Sequence, residues 1–361
     1  MKNKIDIEKK IIIAPLNWGL GHATRCIPII NALIDQGFEP VICSDGVALL
    51  LLQKEFPKLK SYELPSYDIQ YTKNGNLLKY RLLLDSLKII KAVKKEKQLI
   101  DEIVKKENIK GIISDNRFGV RSNKIPSVYL THQINVLSGS TSFLTSKLHQ
   151  KIIAKFDECW IPDYKTEPNL SGKLSHIKDT DLRLKYINPL SRFNYIKSDK
   201  EKEYKYDLAI LLSGPEPQRT ILEKKLISEL KYFHKNVLFI SGVISNKQEF
   251  VKKNNIVFVN FMLKNELQNT INDSEIILTR SGYSTIMDLE KLNKKTFFIP
   301  TPGQFEQEYL AKNLEQFKIA PFASQKDFKI SMLSSIKNYT GFINKKTSNT
   351  VDFVTLFDVF N

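Results

Sequence analysis

One stretch, EIILTRSGYSTIMDLEKLNKKTFFIPTPGQFEQEYLAKNL at residues 275–314, constrains the fold more than any other. An apolar run at 276–279, a glycine-containing turn, a helix, a second apolar run at 296–299, a Pro/Gly loop and another helix spell one βαβα unit, and therefore a parallel sheet. The turn at 280–285 falls outside the carboxyl end of a strand and at a helix N-terminus, where open α/β sheets present their ligand crevice. Backbone N–H groups there, with Ser284 and Thr285 as further donors, suit a phosphate. Asp288 lies one helical turn past Thr285, within reach of ribose hydroxyls on the same crevice. The second loop, residues 300–308, opens a helix carrying Gln304, Glu306, Gln307 and Glu308, polar groups where a core would want none. Either turn alone reads as an ordinary capped βα connection. The two together predict a nucleotide clamp.

RSGYSTIMDLE followed by IPTPGQFEQEYLA resembles the donor-binding segment of glycosyltransferase family 28. The matching positions are Arg280, Ser281, Gly282, Thr285, Asp288 and Gln307. Asp288 stands where the family has Glu, a shorter acid that can still reach the ribose, and Glu308 stands where it has a second Gln, a departure that puts the family's sugar specificity in question.

The chain has 361 residues, enough for two domains with separate cores. With 42% hydrophobic and 26% charged residues it reads as a soluble globular protein. The longest purely apolar run, residues 47–52, is far shorter than the ~20 residues of a membrane span. The polar start at 1–10 leads straight into a strand and predicts no signal peptide. The three cysteines, Cys26, Cys43 and Cys159, have no metal or redox spacing and imply a reducing, cytoplasmic setting. A net charge of +16 favours anionic partners, unless it only reflects a Lys/Asn/Ile-rich coding bias.

Read from the start, 10–15 is a buried strand, NWGLGHATR at 17–25 a loop, 27–36 a helix ended by Gly37, and 41–44 the next strand, a βαβ opening. Gly19 and Gly21 allow close approach of a ligand to the backbone. A dinucleotide fingerprint, with Asp45 as its acid, lacks its third glycine because Thr24 occupies that place. Residues 76–107 predict one long helix or two in series, with leucines and isoleucines on one face and lysines on the other. Strands at 110–114 and 125–130 end in polar residues, Asp115 the first of them, as do strands that line a cleft. Asp179-Thr180-Asp181 reads as a polar surface turn, although its D-x-D spacing holds a metal in a different transferase fold. The charge run at 197–205 is the linker candidate.

The resemblance extends to the rest of the chain. A Gly-rich loop ending in Gly-His makes His22 the candidate base, set at a helix N-terminus that disfavours the imidazolium. Asp115 is a second candidate base, and a turn or cap aspartate is its plainer reading. A His-x-x-Asn stretch makes His132 and Asn135 acceptor-site residues, together with Gly19 and Gly21. The Asn-Pro segment at 188–192 makes Arg192 a diphosphate contact. Ser213 and Gly214 approach the phosphates, and Phe261 and Met262 border the base.

The implied fold is two doubly wound Rossmann-like α/β domains facing across a cleft, the GT-B architecture. The first, acceptor-binding domain spans 1–195, the donor-binding domain 196–345, and a closing helix in 346–361 packs back on the first. The implied function is metal-independent, inverting transfer of a hexosyl or N-acetylhexosaminyl group from a UDP-sugar to an acceptor hydroxyl. No cofactor or metal is implied, since helix N-termini and Arg192 or Arg280 can offset the leaving diphosphate. Lipid-linked or cell-envelope acceptors in the family, with the basic charge, imply a cytoplasmic protein peripheral on the inner membrane face, through the region around Leu77 to Arg81 and the loops near His132. No nucleic-acid partner is expected. A nucleotide-sugar epimerase of the same fold and a non-catalytic nucleotide-sugar-binding protein are the alternatives.

Overall fold

The computed structural model describes residues 9–67, 78–195, 203–214, 216–342 and 350–361, with the helix at 78–87 given by its backbone alone. In the first domain, β1 (Lys10–Pro15), α1 (Gly21–Asp35), β2 (Glu39–Ser44), α2 (Gly46–Glu55), β3 (Ser61–Glu63), α3 (Leu78–Glu107), β4 (Gly111–Asp115), β5 (Ser127–Leu130), α4 (Ser142–Ile153), β6 (Glu158–Ile161) and β7 (Leu184–Tyr186) follow in chain order. Their sheet runs β3-β2-β1-β4-β5-β6-β7 and is parallel throughout. The central strands are Ile- and Val-rich because both faces are covered, and Ile11, Ile12, Ile13, Ile112 and Ile113 have no exposed surface.

The second domain contains β8 (Tyr206–Leu211), α5 (Gln218–Glu229), β9 (Val237–Ile240), β10 (Phe250–Lys253), β11 (Ile256–Val259), α6 (Lys264–Asn272), β12 (Ser274–Thr279), α7 (Tyr283–Lys291), β13 (Lys295–Phe298) and α8 (Phe305–Gln316). Its sheet runs β10-β11-β9-β8-β12-β13, with only the edge strand β10 antiparallel. The direction of winding reverses between β1 and β4 in one sheet and between β8 and β12 in the other. Crevices open at such reversals, and these two lead into the loops that carry most of the predicted site residues. The architecture is GT-B.

Three sequence expectations change in detail. α1 begins at Gly21, not at Ile27: of the two glycines read as a loop, only Gly19 takes positive φ (81°), while Gly21 is helical. The lysine-faced region is one helix of 30 residues. The closing helix is short, α9 (Phe353–Phe357). Phe357 packs edge-on to Phe38 at 5.8 Å, and Phe360 meets Trp160 of β6 at 6.1 Å, so the chain end lies on the first domain. Most of the linker candidate lies outside the described residues.

Candidate active site

Between the domains lies a cavity of about 830 Å³, walled by the loops after β1, β4 and β5 on one side and those after β8, β12 and β13 on the other. His22 sits at the second position of α1, with its ring at the cavity wall. Register places Pro15, the last residue of β1, beside Asp115, the last of β4. His22 Nδ1 consequently reaches Asp115 Oδ1 at 2.7 Å.

Asp115 has no exposed surface. Burial alone would raise its carboxyl, but Arg25 and His22 outweigh burial and hold it down at about 2. An ionised carboxylate only accepts hydrogen bonds, so the 2.7 Å contact places a proton on His22 Nδ1, with Arg25 Nη2 also 3.0 Å from that nitrogen; in the neutral ring this makes Nε2 the basic atom. Asp115 is thus not a base that an acceptor could touch. It orients the base.

Arg25 lies one turn beyond His22 on the same face of α1, 1% exposed, and was not singled out in the sequence. Its Nε donates to Asp115 Oδ2 at 2.6 Å and its Nη2 to Oδ1. Its Nη1 lies 2.9 Å from His132 Nδ1. A guanidinium has no acceptor, so His132 Nδ1 accepts and His132 Nε2–H donates across the cleft to Glu306 Oε1, also at 2.9 Å. Burial holds the His132 imidazole below its ordinary value, in keeping with a neutral ring. Burial pushes the Glu306 carboxyl up, but His132, His22 and Arg25 outweigh it and hold the group ionised. Gln133 Nε2 donates to the other oxygen of Glu306.

On the facing wall, Gly282 caps α7 and its first-turn residues Tyr283, Ser284 and Thr285 line the cavity. Their N–H groups have no acceptor within the helix. Ser284 Oγ donates to Gly21 O at 2.7 Å, which joins the start of α7 to the start of α1. A Cβ on Gly21 would come within 3.1 Å of that hydroxyl, so any larger residue would require Ser284 to give way by a few tenths of an ångström. Ser213, Gly214, Phe261, Met262, Gln304, Gln307 and Glu308 also line the cavity, as do Gly19 and His132. Gln307 Oε1 accepts from Thr301 N at 2.9 Å and Glu308 Oε1 from Gly303 N at 3.1 Å, which shapes the loop after β13.

Asp288 lines the cavity but is already engaged. Ser191 Oγ donates to Oδ1 at 2.8 Å and Arg192 Nε to Oδ2 at 3.0 Å. Burial raises its carboxyl above the ordinary value, against the pull of Arg192. The predicted diphosphate and ribose contacts therefore meet each other where the chain passes from the first domain toward the second.

Besides Asp115, three predicted residues stand away from the cavity lining. Arg280 turns into the second domain, where it donates to the carbonyl oxygens of Ile299, Pro300 and Gln218 at 3.0–3.1 Å and to Gln325 Oε1 at 2.6 Å. Burial lowers it to about 9, and no carboxylate is among these partners. It ties together the loops after β8 and β13 and is not placed to neutralise a diphosphate. Ser281 is buried beside it and donates to Gln307 O at 2.8 Å. Asn135 donates to Lys173 O at 2.9 Å within the first domain.

Comparison with known proteins bears on the fold and on the type of enzyme. Residues 218–348 match the glycosyltransferase family 28 C-terminal domain. An uncharacterized glycosyltransferase of Methanosarcina acetivorans is 26% identical over 328 residues, covering 85% of this chain and 83% of the relative. The UDP-N-acetylglucosamine–N-acetylmuramyl-(pentapeptide) pyrophosphoryl-undecaprenol N-acetylglucosamine transferase of Clostridium tetani is 24% identical over 309 residues, covering 81% and 78%. Among solved structures, spinosyn rhamnosyltransferase SpnG superimposes with a TM-score of 0.66 at 11% identity, over 98% of this chain and all of the other, and shares the fold.

Proposed function

We propose that this chain, a glycosyltransferase of the family 28 type with the GT-B fold, moves a hexosyl or N-acetylhexosaminyl group from a UDP-sugar to an acceptor hydroxyl with inversion. The observation that carries the reading is the His22 imidazole, which lines the cavity together with the first turn of α7 and whose Nδ1 is held by buried Asp115, making Nε2 the basic atom of the neutral ring. His22 Nε2 takes the proton of the acceptor hydroxyl as its oxygen attacks the anomeric carbon from the first-domain side. The bond to the diphosphate breaks on the opposite face, so one displacement inverts the centre. The leaving charge falls on the first-turn amides of α7 and on Arg192, whose Nε is committed to Asp288 and whose terminal N–H groups have no hydrogen-bond partner among the described residues. Phe261 and Met262 offer an apolar wall to the base.

Because dipoles and an arginine supply the positive potential, transfer is expected to persist in EDTA. The chelation assay checks this, and activity lost to EDTA and restored by a divalent ion would contradict it. The acceptor is expected to be lipid-linked or a cell-envelope glycan, as in the Clostridium tetani relative's own reaction. Incubation with a panel of labelled nucleotide sugars, scored for transfer product, epimerised sugar or neither, tests the proposal. Epimerised donor without transfer would replace it.

A further inference from the structure

Resting on His22 as the base, we propose that Glu306 and His132 are positioning residues: through Arg25 they couple the donor loop of the second domain to the His22–Asp115 pair of the first, so that the base is held in register only while the cleft is closed.

The chain of contacts is continuous and directional. Glu306 accepts from His132 Nε2 at 2.9 Å, His132 Nδ1 accepts from Arg25 Nη1 at 2.9 Å, and Arg25 grips both oxygens of Asp115, which receives His22 Nδ1–H; Arg25 Nη2 also lies 3.0 Å from that nitrogen, so Arg25 bears on His22 directly as well as through Asp115. Its interior members are rigidly placed, with Asp115 fully buried, Arg25 1% exposed and His132 5%. The His132 ring also lies flat on Tyr283 of α7, centroids 4.2 Å apart and planes within 1°, while Tyr283 Oη donates back to Pro162 O at 2.9 Å. Two partners of His132 thus come from the second domain, and separation of the domains removes both at once. The ring would then be free to turn its N–H toward Arg25, a donor facing a donor. Arg25 cannot yield without moving Asp115, and Asp115 sets the ring of His22.

The expectation that Glu306 binds the donor is at odds with its bonds. One carboxylate oxygen is taken by His132 and the other by Gln133, both from the first domain. Its place in the first turn of α8, where a helix dipole favours an acid, suits a carboxylate that His132, His22 and Arg25 already hold ionised.

The test uses the full chain with Glu306→Ala, Glu306→Gln and His132→Phe, each first shown to be folded by circular dichroism. With whichever UDP-sugar proves to be the donor, Glu306→Ala and His132→Phe should lower kcat by about 10- to 100-fold, the scale of a misplaced catalytic group. Donor KM should stay within about threefold, and Glu306→Gln, which keeps one acceptor oxygen, should fall between. In parallel, ¹⁵N-histidine spectra, with His22 assigned from His22→Gln, should show a single Nδ1–H tautomer for His22 in the wild type and a mixture in Glu306→Ala. A loss confined to KM, or a His22 spectrum unchanged in Glu306→Ala, would overturn the relay. If the wild type transfers no sugar, the functional reading falls by itself, and the spectra still decide the relay.

Discussion

His22 and Asp115 stand 93 positions apart in the chain, yet Nδ1 of one lies 2.7 Å from Oδ1 of the other. β1 and β4 are neighbours only because the sheet reverses its winding there. His22→Ala should therefore lower transfer by about 10³-fold, within the range of general-base catalysis, while UDP affinity measured by calorimetry stays unchanged. Transfer at near wild-type rate would remove His22 from the chemistry.

Asp115→Asn has a second cost. It leaves Arg25, buried and fully charged, without its carboxylate, and breaking one side of such a pair destabilises by about 3–5 kcal/mol. Urea unfolding of the variant should show the loss together with a lowered kcat. Unaltered stability would mean that Arg25 finds another partner.

Much of this site could be read from residue types. The turn at 280–285 announced itself by glycine, hydroxyls and an acid at fixed offsets between two apolar strands, and Gly21-His22 by a loop following a buried strand. Arg25 passed unnoticed because an arginine one turn into a helix usually reaches solvent. The available signal was its position three residues after His22, on one face of an otherwise apolar helix. Arg280 misled in the opposite sense, since a motif shows which residue is required and not which way its side chain turns. Buried Arg117, bonded to Glu96 and Asp45 at 2.5 Å each, was equally invisible, because its partners lie 21 and 72 positions away.

Stability should fall as the medium is acidified, in two overlapping steps. Burial holds His149 down at about 4, below the 6.5 of an ordinary imidazole, so the unfolded chain binds a proton first and folding weakens between pH 6.5 and 4. Asp115, at about 2 against an ordinary 3.8, contributes on the order of 2 kcal/mol above pH 4, which is lost as pH falls toward 2. In both cases the unfolded state binds more protons, so both slopes have the same sign. Denaturant titrations from pH 8 to 3 measure this, and His149→Phe should flatten the upper step. Stability constant from pH 7 to 5 in the wild type would contradict the His149 assignment.

Asp288→Ala should weaken UDP binding at least about tenfold while leaving the chain folded, because one change removes the acid proposed for the ribose and releases Arg192 and Ser191 from their anchor. Asp288→Asn, which keeps an acceptor for Ser191, should lose less. Titration calorimetry separates the two, and equal affinity in Asp288→Ala and the wild type would end the ribose assignment.

The last prediction concerns attachment to membranes. Among the described residues no helix is long and apolar enough to span a bilayer, and the attachment expected is through the surface. Part of the region expected to touch it, Leu77 to Arg81, lies outside the described side chains, but the loops near His132 lead to α4, which exposes Phe143 at 78%, Leu144 at 60% and Leu148 at 53%. Leu148 and Ile152 of the same helix line the cavity, so the apolar strip runs to the mouth through which an acceptor would enter. Lys147 and Lys151 stand on that helix, in a chain of net charge +16, and each basic residue near an anionic leaflet contributes about 1 kcal/mol. Such charge is screened beyond roughly 8 Å at physiological salt, so binding should require acidic lipid and weaken as salt rises. Co-sedimentation with phosphatidylglycerol vesicles at low salt should retain the protein, and Phe143→Glu with Leu144→Glu should release it without altering UDP affinity. Equal binding to neutral vesicles, or none to acidic ones at low salt, would make a soluble acceptor the better reading of the cavity.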